Sequence, residues 1–347
     1  MKLRQWMGLA SAALALGLTA CGGESDQSGS SNSGNPKVQR MVVFGDSLSA
    51  AYGLDSGQGW VSLLQQRLSS GGYGLKVVNA SVSGETTSGG RSRLPRALDQ
   101  HRPSLVVLEL GANDMLRGTD PKVTEGALAA IIERLKARGI PVLLAGMQAA
   151  PNLGPDYKAR FDAIYPALAE RYGRCIGRDA RAIGLNWVLG PVCDVNNNPA
   201  NPVINVRAWG ETAEAVSALA AAFTRGVQAE GVLACAKHFP GHGDTSSDSH
   251  LELPLIRHGR TRLDAIELPP FRAAIAAGVA AVMTAHLMLT ALDQERPATL
   301  SRAVLTGLLR KELGFNGLIV TDALVMEAIA GHYGAGEAAV LALEAGA

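Results

Sequence analysis

The chain has 347 residues, 47% of them hydrophobic, and a formal net charge of +1. That length accommodates two domains or one large barrel, and that apolar fraction supplies a sizeable buried core. The near-neutral charge, with basic residues scattered along the chain, excludes the electrostatic footprint of a nucleic-acid-binding surface.

The first element in chain order is an export signal. Lys2 and Arg4 precede an apolar run over residues 7–18 that is too short to anchor stably across a bilayer. Leu18-Thr19-Ala20-Cys21 resembles the bacterial lipobox, in which the cysteine becomes the lipidated N-terminus after cleavage. The plainer alternative is an ordinary signal peptide with an incidental cysteine. Residues 1–21 are expected to be a lipoprotein signal with Cys21 as the lipidation site. The mature protein is then exported and lipid-anchored to a bacterial membrane on its periplasmic side. Residues 22–39, rich in Gly, Ser and Asn, read as a flexible linker.

From Arg40 the chain alternates strand, turn and helix, the pattern of an α/β domain. Short apolar strands are expected at 41–44, 77–78, 105–110 and 142–144, with a helix over 123–138. Polar clusters follow three of these strands: Gly45-Asp46-Ser47, then Asn79 and Gly84, then Gly111-Ala112-Asn113-Asp114. A Gly-Asp-Ser turn alone is uninformative, because those residues make turns anywhere. Three clusters at successive carboxyl strand ends coincide with the place where open α/β sheets bind ligands.

GDSLSAAYG, GETT and GAND stand in this order and resemble the SGNH (GDSL) hydrolase family, near its arylesterase and thioesterase members. The resemblance covers residues 40–172 and implies a flavodoxin-like sheet with Ser47 as nucleophile. The Ser47 and Gly84 backbone N–H groups and the Asn113 side chain would form the oxyanion hole, since preorganised donors stabilise a tetrahedral intermediate. A serine hydroxyl also needs a base. The family takes that base from an Asp-x-x-His motif, and none follows Tyr172 in a matching context. His101, the single histidine of this half, precedes the third strand and so falls at the wrong end of the sheet. The family's fifth strand and last helix have no counterpart either. The first half is therefore expected to be a truncated SGNH sheet with a nucleophile and no base.

After a helix closed at 183–184, the second half places a strand at 187–192 before Asp194 and a helix at 211–230. Strands at 232–236, 280–285 and 318–321 end at Lys237-His238, His286 and Asp322. Four successive strands ending on ionisable residues suggest a (β/α)8 barrel, whose carboxyl strand ends build the active site. Cys175, Cys193 and Cys235 lie in apolar stretches without metal-ligand spacing and are expected to pack in the core. A disulfide after export is compatible with them, but nothing selects a pair.

KHFPGHGDTSSDSH, residues 237–250, resembles family 3 glycoside hydrolases, and its Asp-Ser-His ending points to the β-N-acetylhexosaminidase branch. PVCDVNNNPANPVINVR before it and LIVTDALVMEAI after it agree, over residues 174–347. The resemblance implies Asp322 as the nucleophile that forms a covalent glycosyl-enzyme, His250 as acid/base and Asp248 as the group orienting its ring. It implies Asp194, Arg207, Lys237 and His238 as contacts to sugar hydroxyls. Retaining hydrolysis needs a nucleophile and a proton donor flanking the anomeric carbon. A histidine paired with a carboxylate can replace the second carboxylate. A base that is neutral when deprotonated leaves phosphorolysis as a minor alternative. Ala208-Trp209 stands where the family usually has Ser-Phe. Two structural alternatives remain: a metal set of His238, His242 and His250, whose spacing gives no helical face, and Asp322 as a helix N-cap. No metal and no cofactor are expected.

The family barrel has two β/α units before the Asp194 strand and one strand after the Asp322 helix. Residues 174–347 are therefore expected to form a partial (β/α)8 TIM barrel with open edges. Both resemblances change over near Gly173, helix running into helix, whereas natural fusions join whole domains through polar linkers. The expectation is a chimera of two truncated hydrolases. Glycosidase chemistry ranks ahead of esterase chemistry, because the second half keeps both reacting groups. The alternatives are a catalytically inactive product and a single-activity enzyme whose esterase strands complete the barrel. The implied partners are a small carbohydrate or acyl-ester substrate and a membrane through the lipid anchor, with no nucleic acid. The sequence assigns no oligomeric state.

Overall fold

A computed structural model describes residues 39–347. The export signal, Cys21 and residues 22–38 of the linker lie outside the described residues. The described chain forms two compact units that divide between Ile164 and Tyr165.

The first unit is built on four parallel strands: β1 (Gln39–Gly45), β2 (Leu75–Asn79), β3 (Leu105–Glu109) and β4 (Val142–Leu144), in the order β2-β1-β3-β4. Gln39, expected to end the linker, already belongs to β1, where it pairs with Leu75. The central strands are short apolar runs buried on both faces, as parallel sheets covered by helices require. Met41, Val43 and Val107 pack on one side with Val61 of the helix Trp60–Ser70. The helix expected at 123–138 is Pro121–Ala137. It starts earlier because Asp120 accepts a hydrogen bond from the Lys122 N–H and Pro121 occupies the first turn, where no N–H is needed. The strand order reverses direction between β1 and β3, the switch point at which such sheets open a ligand crevice.

The second unit opens with the helix Ile164–Ala182. It continues through β5 (Trp187–Val188), the helix Ala213–Gln228, β6 (Leu233–Phe239), β7 (Leu255–Ile256), the helix Pro269–Ala276, β8 (Ala281–Thr284), β9 (Met288–Leu289) and β10 (Leu318–Thr321). The main sheet is parallel, in the order β10-β8-β6-β5, and β7 pairs with β9 separately. Within the main sheet the four strands lie side by side in chain order. Facing alternates with period two. Ala234, Ala236, Val282 and Ile319 pack among Phe223, Val227 and Phe271, while Cys235, Ala281 and Met283 pack on the other face beside Trp187 and Val320. The helix Ile164–Ala182 runs unbroken through Gly173. A side chain there would approach the Phe223 carbonyl oxygen to 2.5 Å, so glycine lets this helix touch Ala213–Gln228 backbone to backbone.

The strand expected at 187–192 is shorter. Regular pairing stops at Val188, and beyond it Val192 makes only an isolated bridge to Lys237. Pro191, between them, has no N–H to donate to a ladder.

Candidate active sites

In the first unit, β1 delivers Asp46 and Ser47 to the carboxyl end of the sheet. Asp46 is buried and accepts hydrogen bonds from the Leu48 N–H (3.0 Å) and Asn113 Nδ2 (3.1 Å), closing the turn that carries Ser47. Asn113 Nδ2 also donates to the Glu85 carbonyl (3.0 Å), and the Gly84 carbonyl accepts from Arg117 (3.0 Å). Ser47, Gly84 and Asn113, expected to act together, therefore lie on adjoining segments. The Asn113 amide thus donates to both Asp46 and Glu85. Arg93 fixes the surrounding loop through Glu85 (2.5 Å) and the Ala80 carbonyl (2.7 Å) while stacking over Phe44 at 3.8 Å.

The Ser47 hydroxyl makes no hydrogen bond among the described residues. The His101 carbonyl accepts from Arg40 at the opposite, amino end of β1 (3.4 Å). At about 3.3 Å per residue, roughly 20 Å of strand separate that end from Ser47. One carboxylate escaped the sequence reading. Glu109 ends β3 and is buried, its Oε2 accepts from the Ser49 hydroxyl (2.7 Å), and its Oε1 has no partner. Burial pushes its pKa up to about 7, against the Ser49 hydrogen bond, and burial raises the pKa of neighbouring Asp46 as well. Its sequence signal was an acid at the end of the apolar run Leu-Val-Val-Leu-Glu-Leu.

In the second unit the predicted residues gather at the carboxyl strand ends. The register between β6 and β8 shifts between Ala236 and Phe239, which breaks the alternation and re-aims His238. His238 Nδ1 meets Asp194 Oδ2 at 2.7 Å, and its Nε2 faces Arg207 at 3.3 Å. A guanidinium only donates, so the network assigns a lone pair to Nε2 and the proton to Nδ1. Asp194 is 0% exposed and also accepts from the backbone N–H groups of His238 and His242 (2.7 Å for the latter). Burial alone would raise its pKa; the His238 and His242 neighbours outweigh burial and hold it below the usual carboxylate range. Both Asp194 oxygens are thereby engaged by His238 and His242. Burial lowers the Lys237 pKa, as does Arg207, with Asp322 opposing.

Asp248 Oδ1 accepts from both the backbone N–H (2.8 Å) and Nδ1 (2.7 Å) of His250, so the two form a dyad with the ring 59% exposed. Asp322 follows β10, and its Oδ1 accepts from the Ala323 N–H (2.8 Å). It is not a helix N-cap. The next helix, Glu327–Ala330, begins later with Met326 at its N-cap, and residues 323–326 form a turn closed by the Met326 N–H on the Ala323 carbonyl (3.0 Å). The dyad loop is joined to the helix that follows this turn, because the Ser249 carbonyl accepts from the Ala328 N–H (3.3 Å).

Two further histidines complete the site. His242 is buried between Thr245 (2.7 Å) and Ser249 (3.1 Å), tying the Asp194 network to the dyad loop. His286 lies beyond β8 and contacts Thr299 and the Ala323 carbonyl. Their signal was position alone, a histidine at or near a strand end. The ring nitrogens of His238 and His242 are engaged by protein groups, and among the described residues no His, Cys, Asp and Glu cluster is spaced to hold a metal ion. Gly243 passes so close to the Val195 carbonyl that any side chain would collide with it. Asp244 anchors the same loop to His258 (2.6 Å) and Arg262 (3.1 Å). Trp209, standing where the resemblance leads one to expect Phe, packs against Phe223 (5.5 Å between ring centroids) and Tyr172 (6.3 Å).

Cys175, Cys193 and Cys235 are free thiols, the last two buried. Burial pushes the Cys193 pKa up strongly and that of Cys235 up to about 12. Iodoacetamide at pH 8 is expected to leave both unmodified in the native protein and to modify both in denaturant, as peptide mass mapping would show.

Two parallel α/β scaffolds, each carrying hydrolase-type side chains at its carboxyl strand ends, define the class. The chain belongs to glycosyl hydrolase family 3, whose N-terminal domain model matches residues 147–347. The GDSL-like lipase/acylhydrolase family matches residues 43–178, so the two matches meet in one chain. The first part is 51% identical over 132 residues to esterase TesA of Pseudomonas aeruginosa, covering 38% of this chain and 66% of that protein. The second part is 40% identical over 200 residues to beta-hexosaminidase A of Pseudoalteromonas piscicida, covering 53% of this chain and 33% of that protein. The chain thus spans between a third and two thirds of the length of these relatives. Among solved structures, a glycoside hydrolase family 3 beta-N-acetylglucosaminidase from Paenibacillus sp. is similar, with a TM-score of 0.52 and 35% identity over 88% of this chain and 52% of that one. Among the described residues no helix is long and apolar enough to cross a membrane.

Proposed function

We propose that the chain is a retaining glycoside hydrolase of the β-N-acetylhexosaminidase type, acting from a partial barrel through a covalent glycosyl-enzyme. The observation that carries this reading is the link between the loop of the Asp248–His250 dyad and the helix that follows the Asp322 turn, through the Ser249 carbonyl and the Ala328 N–H. It supports the reading by bringing the segments that carry Asp322 and His250 near one another at one end of the sheet. Asp322 attacks the anomeric carbon while His250 gives its proton to the departing oxygen. His250 then takes a proton from the water that opens the glycosyl-enzyme. Asp248, hydrogen-bonded to Nδ1, leaves Nε2 as the nitrogen that carries this proton in and out. Arg207, Lys237 and His238 hold sugar hydroxyls, with Asp194 setting the His238 tautomer. The substrate is a small N-acetylhexosaminide, and the test is release of chromophore from an aryl N-acetyl-β-glucosaminide with Asp322 variants as controls.

The Ser47 turn favours a second reading, a GDSL serine esterase. Because the Ser47 hydroxyl has no hydrogen-bond partner among the described residues, hydrolysis of p-nitrophenyl acetate is expected to proceed at the same rate in Ser47→Ala as in the parent chain. A drop of more than about tenfold in the variant would restore the esterase reading, since an activated serine is worth far more than that. A chain inactive on both substrates would be a catalytically silent chimera. Cys21 is proposed as the lipid attachment site that holds the exported protein at a bacterial membrane. Cys21→Ala is expected to move the protein from the membrane fraction to the soluble fraction.

A further inference from the structure

We infer that His286 is the positioning residue of the Asp322 nucleophile, holding the Asp322–Ala323 turn by donating its Nε2–H to the Ala323 carbonyl, in a tautomer dictated by Thr284 and Thr299. The inference rests on the glycosidase reading for its meaning and on the hydrogen-bond network for its evidence.

His286 is 1% exposed and lies just beyond β8. Its Nε2 is 3.1 Å from the Ala323 carbonyl oxygen, which can only accept, so Nε2 carries a proton. Its Nδ1 is 2.8 Å from Thr299 Oγ1, which lies 2.9 Å from Thr284 Oγ1 and 2.9 Å from the Ala285 carbonyl. If Thr299 gave its proton to the Ala285 carbonyl, Nδ1 would either be left without a donor or have to donate as well, leaving a cation on a buried ring. Burial pushes the His286 pKa down, and the cationic forms of His238 and His250 act in the same direction, while Asp322 and the Ala323 carbonyl oppose. The arrangement without a buried cation is a directed chain. The Thr284 hydroxyl donates to Thr299, Thr299 donates to Nδ1, and Nε2–H donates to Ala323.

The far end of that chain meets the nucleophile. Ala323 holds Asp322 through its own N–H, and its carbonyl receives both His286 and the Met326 N–H. No helical ladder supports this turn, because the following helix starts only at Glu327. Among the described residues, the hydrogen bond from His286 links this turn to the end of β8, the strand beside β10. Nucleophilic attack tolerates little misplacement of the attacking oxygen, so slack here should cost rate rather than binding.

The test uses the full chain with two substitutions. His286→Leu keeps bulk and removes the donor, whereas His286→Gln offers an amide N–H to the same carbonyl. Amide hydrogen exchange at Ala323 and Met326 is expected to accelerate about tenfold in His286→Leu, the size of one lost hydrogen bond, and to stay near parent rates in His286→Gln. With an aryl N-acetyl-β-glucosaminide, kcat should fall by about tenfold or more in His286→Leu with KM little changed, and recover in His286→Gln. Unchanged exchange in His286→Leu, or equal losses in both variants, would overturn the inference. If the parent chain shows no turnover, the glycosidase reading fails by itself and the exchange ratio still decides the positioning role. Should His286→Leu not fold, the imidazole 15N shifts of the parent protein decide: an Nε2–H neutral tautomer supports the chain, and an Nδ1–H tautomer or a cation at neutral pH refutes it.

Discussion

Asp322→Ala is expected to lower kcat for an aryl N-acetyl-β-glucosaminide by at least about 10³-fold, equivalent to about 4 kcal/mol of transition-state stabilisation. Asp322→Asn, which keeps the contact to the Ala323 N–H, should lose nearly as much. The deficit is then chemical rather than conformational, because an amide cannot form the glycosyl ester. The alanine cavity supplies a second, sharper readout. Added azide should enter it and attack the anomeric carbon directly, restoring turnover with inverted configuration in the product. Retention of parent activity in Asp322→Ala would remove the glycosidase proposal. Activity lost without azide rescue would leave the nucleophile assignment unsupported.

Glu109 should make the first unit less stable as pH rises through the neutral range. Its folded pKa of about 7 lies above the ordinary 4.5, so between those values the folded state binds the extra proton. Stability from this group is therefore complete below about pH 4.5 and is lost as pH climbs to about 7, a loss on the order of 3 kcal/mol from the pKa difference. Asp46, raised by the same burial, acts in the same sense. Glu109→Gln removes the ionisation while keeping an acceptor for the Ser49 hydroxyl. It should match the parent near pH 5 and exceed it near pH 8. The measurement is exchange protection of the β1 and β3 peptides across denaturant at the two pH values. The same pH slope in parent and Gln variant would sink the assignment of Glu109 as its source. The unpartnered Glu109 Oε1 is the structural counterpart of the prediction, since a carboxylic acid leaves less charge unsatisfied there than a carboxylate.

The residues named from the sequence separate by how local their information is. Strand positions were legible because a parallel strand buried on both faces is a short apolar run, and β3 and β10 show this directly. The Asp248–His250 dyad was legible because its geometry spans three residues. The end of β5 was not, because Pro191 and the pairing partner Lys237 decide it together, and only one of them is local. The burial of Asp194, the orientation of the Asn113 amide and the N-cap alternative for Asp322 all depended on distant groups. Glu109 was overlooked for the same reason. Its pKa is set by Ser49 and Asp46 on another strand's loop, sixty or more residues away in the chain, and by how deeply the sheet buries it.

Sequence by itself determined the two-part composition and the parallel α/β character of each part, and it singled out the candidate side chains that gather at the carboxyl strand ends. All of these are written in periodicity and in contiguous motifs. Only the tertiary structure decided which polar groups are satisfied, and by which partners. It showed Asn113 turned to Asp46, Asp194 saturated by His238 and His242, and Asp322 held through Ala323 by a histidine from beside the neighbouring strand. The physical reason is that a hydrogen bond's partner and a carboxyl's pKa are properties of the surrounding volume. Folding fills that volume with residues that no local window of the chain contains.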